Sequence, residues 1–250
     1  LELREAPKPE PKEGEVLLRV RACGICGSDV HGFLGLTGRR LPPMTMGHEF
    51  SAEVAQLGPA TGKFKVGDGV VVQPIHFCGH CVNCRNGMTN MCLNKEFFGV
   101  LDKDGAIGAL SEPFAVAYGA VKKAGSLTGK TVLIIGAGTI GICILQLVKL
   151  KHPARVVVSD LSDTRLAAAK ELGADVAINP KRDDAAAVLS ELTDGVLADV
   201  TIEAVGVQAT ANQSILCLRV GGKAIWVGMS QKEMTINMQD IVCSARQVIG

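Results

Sequence analysis

The segment from Thr131 to Asp160 constrains the fold of this chain more than any other part of the sequence. An apolar run at Val132–Ile135 predicts a β-strand, and the glycine-rich turn Gly136–Gly141, with the pattern G-x-G-x-x-G, follows at once. Apolar residues then recur along a predicted helix from Ile142 to Leu150, before a second β-run ends at Asp160. A strand, glycine turn, helix, second strand and closing acid form the unit that binds a dinucleotide.

The glycine turn and the closing acid predict which residues contact the cofactor. Gly136 permits the tight turn, Gly138 lets the backbone approach a pyrophosphate, and Gly141 lets the helix pack on the strand. The free N–H groups and positive dipole of the helix N-terminus then face the phosphates. Asp160 can accept hydrogen bonds from both ribose hydroxyls of NAD and would repel a 2′-phosphate, so the sequence favours NAD over NADP. The predicted cofactor contacts are Gly136, Gly138, Thr139, Ile140, Gly141 and Asp160.

The composition excludes several classes of function. A net charge of +1 and 47% hydrophobic residues describe a globular protein and provide no electrostatic attraction to nucleic acid or to an anionic membrane. No apolar run approaches the roughly 20 residues that a membrane span requires. The nine cysteines favour thiolate ligands for zinc in a reducing cytoplasm over a disulfide scaffold. The first residues contain no secretory segment and no initiator methionine, so we expect the chain to begin inside the complete protein.

Four cysteines form the most specific metal motif. Their spacing is C-x-x-C-x-x-C-x7-C, and they are Cys78, Cys81, Cys84 and Cys92. Four thiolates can close a tetrahedral site with no open position, which predicts a structural zinc. An iron–sulfur cluster is the rival interpretation, but the ferredoxin pattern places its fourth cysteine after three residues and before a proline. His76 and His80 lie in the same lobe and are predicted as bystanders, because four thiolates already satisfy the metal.

Two further short motifs contain the residue types of a catalytic metal site. Cys23–His31 includes a C-x-x-C pair and Met46–Glu49 includes His-Glu, and both lie among glycines and prolines, so they are predicted as loops. A catalytic zinc uses three such protein ligands and leaves one position open. Other interpretations remain: the cysteines can form a redox pair or fill a strand interior, His48 can be a core residue, and Ser28 and Asp29 can form a turn or cap.

The chain from Lys130 onwards predicts a doubly wound β/α repeat. We expect strands at 131–135, 155–159, 176–178, 199–203 and 223–228, a sixth near Gln247, and helices at 140–151, 163–172, 183–192 and about 209–218. The expected strand order is 3-2-1-4-5-6, with the ligand at the carboxyl ends of the strands. Val205 follows the fourth strand, where its loop borders the cofactor or forms an ordinary turn. Near the N-terminus Val16–Cys23 predicts a strand, and Cys143, Cys217 and Cys243 are predicted as core residues.

These motifs together resemble those of the zinc-dependent medium-chain alcohol and polyol dehydrogenases. The matching runs are CGICGSDVH, GHE, GDGV, the four-cysteine lobe, EPFAVAYGAV and GAGTIG, and DLSDTRLAAAKELGAD is similar to the sorbitol dehydrogenase branch. The resemblance implies an α/β protein: a GroES-like β-barrel catalytic domain at residues 1–118, with its structural zinc lobe at 78–92, and a Rossmann NAD-binding domain, a doubly wound parallel sheet, at 119–250. It also implies a small-molecule alcohol substrate in the cleft between the domains and a homodimer or homotetramer.

The resemblance assigns the ligands of the catalytic zinc by position. Cys26 and His48 match two ligands of the family. The motif that supplies a third cysteine in liver-type alcohol dehydrogenases contains Glu112 here, which resembles the polyol dehydrogenase pattern, in which Glu49 can itself be a ligand. The third ligand is therefore open between Glu49 and Glu112.

The resemblance also assigns residues to proton transfer and cofactor binding. Ser28 matches the hydroxyl that relays the substrate proton, and His31 matches the point where this relay reaches solvent through the cofactor ribose. Arg165 matches a basic residue beside the adenine ribose, which leaves some use of NADP open. In the implied reaction the zinc acts as a Lewis acid on the alcohol, the hydroxyl removes the proton, and hydride passes to nicotinamide.

The chain is shorter than the family pattern at one internal position. The Asp104–Gly105 motif and the Glu112–Pro113 motif nearly touch here, although the family separates them by further β-structure, and the chain stops at Gly250 before the closing Rossmann strand. Both domains are therefore expected to be truncated. We predict an NAD-dependent zinc dehydrogenase that oxidises a secondary alcohol of a polyol to a ketone. The alternatives are a 2,3-butanediol or L-threonine 3-dehydrogenase type of substrate, or an inactive remnant that binds zinc and nucleotide.

Overall fold

The computed structural model describes residues 5, 7–36, 40, 44–97 and 111–250, without the side chains at positions 111 and 112. The chain divides into two compact units, Leu1–Glu112 and Pro113–Gly250. The predicted shortening between Asp104 and Glu112 lies outside the described residues.

The described part of the N-terminal unit contains two small antiparallel sheets. In the first, β2 (Phe50–Leu57) pairs with β1 (Val16–Cys23) on one side and with β3 (Gly69–Val71) on the other. In the second, β4 (Ile75–His76) pairs with β5 (Glu96–Phe97). The predicted strand at Val16–Cys23 is confirmed. Side chains of β2 alternate between buried and partly exposed along its first six residues, as expected for a strand with one face on a core.

Short helices in this unit carry the cysteine motifs. They are α1 (Gly27–Phe33), α2 (Val82–Arg85) and a 3₁₀ turn at Thr89–Met91. The prediction of a loop at Met46–Glu49 is confirmed, but the loop prediction is wrong for the residues of α1. The physical reason is a capping box: the Cys26 sulfur accepts from Ser28 N, and the Asp29 carboxylate accepts from Cys26 N at 3.2 Å. This cap supports a helix although two of its seven residues are glycines.

The C-terminal unit alternates strands and helices around one parallel sheet. Its elements are α3 (Ser111–Ala124), β6 (Thr131–Ile135), α4 (Thr139–Lys149), β7 (Arg155–Ser159), α5 (Asp163–Glu171), β8 (Val176–Ile178), α6 (Ala185–Leu192), β9 (Ala198–Glu203), α7 (Gln208–Leu216), β10 (Leu218–Trp226), α8 (Met238–Val242) and β11 (Gln247–Ile249). The strand order is β8-β7-β6-β9-β10-β11 and every pairing is parallel. This order confirms the predicted 3-2-1-4-5-6 topology.

Most predicted bounds in this unit are correct to within two residues, and the exceptions have local causes. Strand β10 begins five residues earlier than predicted, because Leu218 pairs with Ala198 before an irregularity interrupts the register. Helix α8 was not predicted. Cys143 and Cys217 are buried as predicted, but the prediction that Cys243 is a core residue is wrong. Cys243 is exposed because it ends α8, a five-residue helix with no buried side chain.

The central strand β6 positions the glycine turn. Its four apolar residues from Val132 to Ile135 are almost fully buried, and they contribute alternately to two hydrophobic clusters, one on each face of the sheet. A parallel sheet that is covered on both faces requires such a continuous apolar run. The turn that follows Ile135 therefore starts from the most constrained strand of the unit. None of the helices described is both long enough and apolar enough to cross a membrane.

Candidate functional site

The glycine turn has the close approaches that a dinucleotide-binding turn requires. Gly136 has a φ of +97°, a conformation that only glycine adopts readily, and its N–H donates to Ser159 O at 2.7 Å. A Cβ atom on Gly141 would overlap the carbonyl oxygen of Gly136. A Cβ atom on Gly136 would lie 2.7 Å from Cγ2 of Val205, so the loop after β9 packs against the turn. The structure thus brings three predicted cofactor residues together at the carboxyl end of β6.

The N-terminus of α4 follows this turn directly and has no side-chain cap. Gly138 is the N-cap residue with an extended backbone, and it makes no side-chain hydrogen bond to the helix. Thr139 and Ile140 are the first helical residues, and the first N–H groups of a helix have no acceptor within the helix. Such a terminus favours an anion through its N–H groups and its dipole. The predicted pyrophosphate position therefore fits the local geometry.

Asp160 connects the second strand of the sheet to the glycine turn. Its carboxylate accepts hydrogen bonds from Ala137 N at 2.7 Å and from Ser162 N at 2.8 Å, and its side chain is only 8% exposed. Nη1 of Arg165 lies 3.8 Å from Asp160 Oδ2, while the Arg165 side chain is 61% exposed. The acid is held rigidly, and a cation reaches it from the first turn of α5.

Two glycines of the turn allow a matched test of cofactor binding. We expect Gly141→Ala to destabilise the fold by about 3 kcal/mol, because its Cβ would overlap backbone that cannot rotate away. A Cβ atom at Gly138 would meet no atom within 4 Å. The stability of Gly138→Ala should therefore fall by no more than about 1 kcal/mol, because alanine is a weaker N-cap than glycine. NADH affinity should nevertheless fall, because the new methyl group blocks approach of the pyrophosphate. Thermal denaturation and titration of NADH fluorescence measure the two effects. Unchanged NADH affinity in Gly138→Ala would place the pyrophosphate elsewhere.

Glu203 organises the cofactor-side loops; the sequence placed it only at the start of a loop that borders the cofactor or forms an ordinary turn. It ends β9, is buried, and its Oε1 accepts from Val205 N at 2.8 Å and from Gly206 N at 2.7 Å. A Cβ atom on Gly228 would overlap Gly206 N, so the loops after β9 and β10 lie against each other. Glu203 therefore fixes the loop that places Val205 beside Gly136. An acid at the end of an apolar strand, followed by Ala-Val-Gly, is the signal that could have indicated it.

A second cluster lies in the N-terminal unit and joins Cys26, His48 and Glu49. Their ligand atoms all lie within 4.8 Å of one another. Cys26 is the N-cap of α1, while His48 and Glu49 immediately precede β2 and are both buried. Gly24 N donates to Glu49 O at 3.0 Å, which ties the two loops together. Residues 22 positions apart in the sequence thus form one potential metal site with the donor set of a catalytic zinc.

The environment of His48 fits a metal ligand. Its Nδ1 is buried and makes no hydrogen bond among the described residues, although it lies 3.3 Å from Asp29 Oδ1 as an ion pair. Burial disfavours the charged ring, but Asp29 and Cys26 outweigh burial and raise the pKa of His48 to about 10. The ring also contacts Phe97 edge to face, with 5.7 Å between centroids. A cation could replace the proton that this negative environment attracts.

Ser28 and Arg40 complete the surroundings of this cluster. Ser28 Oγ lies 3.1 Å from the Cys26 sulfur, and Arg40 donates to Ser28 Oγ and to Asp29 Oδ1, both at 2.9 Å. Burial opposes ionisation of Asp29, but His48 and Arg40 together hold the pKa of its carboxyl below its usual range. Sequence reasoning missed Arg40 entirely and treated Asp29 only as a cap. No local pattern distinguishes Arg40 from a surface arginine.

For two further predicted residues, His31 and Glu112, the described part of the structure gives a position in a helix but no contact with the cluster. His31 lies in the last turn of α1 and is partly buried. Glu112 lies in the first turn of α3, but its side chain lies outside the described residues. The cluster with Cys26 and His48 therefore contains Glu49, and the structure provides no comparison with Glu112.

Gly24 offers a test of which glutamate is the third ligand. A Cβ atom on Gly24 would overlap Oε2 of Glu49, the flexible end of a side chain, so Gly24→Ala should preserve the fold while it displaces the carboxylate. We expect the affinity for the catalytic zinc to fall about 10-fold or more, in the range found when groups that orient metal ligands are changed. Chelator competition measures this affinity. Gly27→Ala is the matched control, because its Cβ meets nothing within 4 Å. Wild-type zinc affinity in Gly24→Ala would favour Glu112.

The four-cysteine lobe has the dimensions of a closed tetrahedral site. The sulfur atoms of Cys78, Cys81, Cys84 and Cys92 all lie within 4.8 Å of one another. Cys92 Sγ lies 3.5 Å from Cys78 Sγ and 3.9 Å from Cys81 Sγ. Zinc–sulfur bonds of about 2.3 Å place tetrahedral sulfurs about 3.8 Å apart. The arrangement therefore fits a zinc ion with little movement.

The thiol pKa values in the lobe are those expected of a site that binds a cation. Backbone N–H groups of His80 and Cys81 lower the pKa of Cys78 to about 6. Burial and the neighbouring sulfurs raise the pKa of Cys84, because four adjacent thiols cannot all ionise without a compensating charge. His76 pairs with Glu96 at 2.9 Å and the His80 ring contacts Cys78 O at 2.7 Å, so each imidazole contacts an oxygen and not the sulfurs, as expected for bystanders.

Comparison with known proteins identifies the family. Residues 12–125 match the alcohol dehydrogenase GroES-like domain, and residues 139–250 match the zinc-binding dehydrogenase family. The chain belongs to the zinc-binding medium-chain dehydrogenases. Members of this family are oxidoreductases that use zinc and a nicotinamide cofactor, so the predicted family, fold class and cofactor classes are confirmed.

Individual relatives span several substrates. The chain is 34% identical to L-threonine 3-dehydrogenase from Pyrococcus horikoshii, over 96% of this chain and 76% of the relative. It is 32% identical to sorbitol dehydrogenase from Bacillus subtilis, over 100% of this chain and 78% of the relative. A zinc-binding dehydrogenase structure from Sinorhizobium meliloti bound to NADP aligns with a TM-score of 0.87 and 29% identity, covering 99% of this chain and 79% of the other.

The sorbitol dehydrogenase comparison also bears on the predicted internal shortening. The alignment extends over 276 positions and this chain supplies 250 residues, which leaves about 26 positions of the relative without a counterpart. Within the aligned region this chain is therefore shorter than the Bacillus subtilis sorbitol dehydrogenase. The location of the shortening between Asp104 and Glu112 stays a prediction.

Proposed function

We propose that this chain is an NAD-dependent zinc dehydrogenase that oxidises a secondary alcohol of a polyol to a ketone. The observation that supports the proposal most directly is the buried cluster of Cys26, His48 and Glu49 with the Ser28 hydroxyl beside it. The cofactor half supports the same reaction, because its glycine turn, the uncapped start of α4 and Asp160 fit the binding of a dinucleotide.

The residues of the N-terminal cluster divide into ligands and a proton relay. Cys26, His48 and Glu49 would hold the zinc, which when bound supplies a Lewis acid for the alcohol oxygen. The Ser28 hydroxyl has one proton to donate and two positions that accept, so it can take a proton from an alcohol and release its own. His31, one turn further along α1, is the proposed next group in the relay.

The preference for NAD follows from the surroundings of Asp160. A carboxylate at the end of the second strand can accept from both ribose hydroxyls and repels a 2′-phosphate. The rigid hydrogen bonds to Ala137 and Ser162 keep this charge in place. The positive charge of Arg165 partly offsets the negative charge of Asp160, and the Sinorhizobium meliloti protein was found with NADP. NADP is therefore the second candidate. Comparison of kcat/KM for the two cofactors tests this: a higher value with NADP would overturn the preference.

The proposed substrate is a class of compounds and not a single one, because it is inferred from relatives that act on different substrates. Sorbitol dehydrogenases and L-threonine 3-dehydrogenases are similarly close to this chain, and both names describe secondary alcohols. We propose a polyol because DLSDTRLAAAKELGAD and the Glu112 motif follow the polyol branch. L-threonine and 2,3-butanediol are the alternative substrates. The missing positions support a different candidate, a remnant that binds zinc and nucleotide without turnover.

A single set of measurements distinguishes these candidates. Metal analysis counts zinc per chain, and NADH formation is followed with sugar alcohols, L-threonine and 2,3-butanediol. Two zinc ions per chain with turnover of a polyol support the proposal. One zinc ion, NADH binding and no turnover with any compound would instead establish the remnant. Sedimentation of the same sample tests the proposed homodimer or homotetramer.

A further inference from the structure

Arg40 is buried in the N-terminal unit next to the proposed metal ligands. Its side chain is 2% exposed and that of its partner Asp29 is 8% exposed. Arginine is rarely buried to this extent unless it is paired, and burial of an ion pair is not by itself a strong source of stability. Stability alone therefore does not explain why the ion pair of Arg40 and Asp29 is buried next to the proposed ligands.

The guanidinium group of Arg40 contacts two successive residues of α1. It donates from Nε to Asp29 Oδ1 and from Nη2 to Ser28 Oγ, each at 2.9 Å. Arginine has donors only, so Ser28 Oγ must accept here and its own proton must point elsewhere. The Cys26 sulfur, at 3.1 Å, is the acceptor that the structure provides. One accepting position of the Ser28 hydroxyl remains for a proton from substrate.

Through Asp29, Arg40 also reaches the histidine ligand. Asp29 Oδ1 faces both Arg40 Nε and His48 Nδ1, while Asp29 Oδ2 accepts from Cys26 N at 3.2 Å. Arg40 thus holds Ser28, which contacts the proposed ligand Cys26, and also Asp29, which faces the proposed ligand His48. A lysine could not do the same, because its ammonium is a single point rather than a planar fork.

Gly32 in α1 provides the space that Arg40 occupies. A Cβ atom at Gly32 would overlap Cδ of Arg40 and lie 3.1 Å from its Cγ. Glycine inside a helix is unfavourable, and its presence here is explained by the arginine that passes over it.

We propose that Arg40 is a positioning residue for proton transfer: it fixes the Ser28 oxygen next to Cys26, with one accepting position left for the substrate proton, and it holds Asp29 against His48. The part of this inference that concerns proton transfer rests on the proposed dehydrogenase function, whereas the part that concerns His48 and Cys26 depends only on metal binding. Arg40 does not touch the substrate or the cofactor in this proposal, and it acts through Ser28 and Asp29.

The test compares Arg40→Met with Arg21→Met in the zinc-loaded protein. Arg21 of β1 pairs with Glu53 of β2, and neither residue belongs to α1 or to the cluster of potential ligands, so its variant removes an ion pair of the same unit outside the proposed site. We expect Arg40→Met to lower kcat about 10- to 100-fold with little change in KM for NAD. Zinc affinity of the weaker site, measured by chelator competition, should fall about 10-fold. Arg21→Met should change neither quantity.

A double-mutant cycle separates positioning from a general structural effect. If Arg40 acts through Ser28, kcat of the pair Ser28→Ala and Arg40→Met should be close to that of Ser28→Ala alone. The proposal would be overturned if the loss of kcat in the double variant equalled the product of the losses in the two single variants. It would also be overturned if Arg40→Met had wild-type kcat and zinc affinity. Should Arg40→Met fail to fold, Arg40→Lys replaces it, and full activity in that variant also counts against the proposal. If the wild-type chain shows no turnover, the dehydrogenase proposal fails, while zinc affinity still tests the contact with the ligands.

Discussion

Replacing Cys26 by serine should reduce kcat/KM at least about 1,000-fold while NADH still binds. The loss follows from removal of a thiolate ligand, because the metal that the site holds would supply several kcal/mol of charge stabilisation and each 1.36 kcal/mol is tenfold in rate. Cys26 also accepts from Ser28 N and Ser28 Oγ, so its sulfur anchors both the cluster and the proposed relay. NADH binding should be retained, because Gly136–Gly141 and Asp160 lie in the other unit.

Cys23 provides the matched control for this experiment. Its sulfur donates to Gly24 O at 3.0 Å, a bond that a serine hydroxyl can also make, and it is not part of the potential ligand set. Cys23→Ser should therefore retain most of the activity and both zinc ions. Equal losses in Cys23→Ser and Cys26→Ser would instead indicate the redox pair that the C-x-x-C spacing allows. Full activity in Cys26→Ser would show that the catalytic assignment is wrong.

The second large effect is expected in the four-cysteine lobe. Cys92→Ser should remove one zinc ion per chain and unfold the lobe locally, with a loss of stability there of at least about 4 kcal/mol. Cys92 is buried, and its sulfur lies within 4 Å of those of Cys78 and Cys81, so a serine leaves three clustered thiols without the fourth ligand. The short elements α2, β4 and β5 contain no fully buried side chain, so a bound zinc ion would be their main constraint.

Zinc analysis and amide hydrogen exchange measure this effect. Exchange should rise across residues 75–97 and remain unchanged in the unit Pro113–Gly250. Cys243→Ser serves as the control, because Cys243 is exposed at the end of α8 and contributes to no cluster of metal-ligating side chains in the described chain. Two zinc ions and wild-type exchange in Cys92→Ser would contradict a structural zinc at this position.

The features that local patterns could predict are those whose physical cause is itself local. The strands of the Rossmann unit were predicted because a strand buried on both faces needs a continuous apolar run, as at Val132–Ile135. The glycine turn was predicted because backbone geometry requires glycine at Gly136 and Gly141. The cysteine lobe was predicted because three of its ligands lie within seven residues. Helix α1 was predicted as a loop, because its glycines obscured the capping box formed by Cys26 and Asp29.

The contacts between distant loops could not be predicted in the same way. Proximity of Cys26 to His48 and Glu49 depends on how β1 and β2 pair and on the hydrogen bond between Gly24 and Glu49. From spacing alone, a redox pair, a buried strand cysteine and a core histidine all remained open as alternatives. The family resemblance favoured the metal site, and the tertiary structure shows that the three side chains converge.

The fold class, the order of the parallel strands, the dinucleotide turn and the four-cysteine lobe could all be predicted from the amino-acid sequence. Each depends on periodicity, on backbone freedom at glycine or on closely spaced ligands, all of which a linear pattern records. Three contacts became visible in the folded chain alone: Glu49 joins Cys26 and His48, Glu203 fixes the loop beside Gly136, and Arg40 reaches Ser28 and Asp29. These depend on where separate loops are brought by sheet pairing and side-chain burial, which no local pattern specifies.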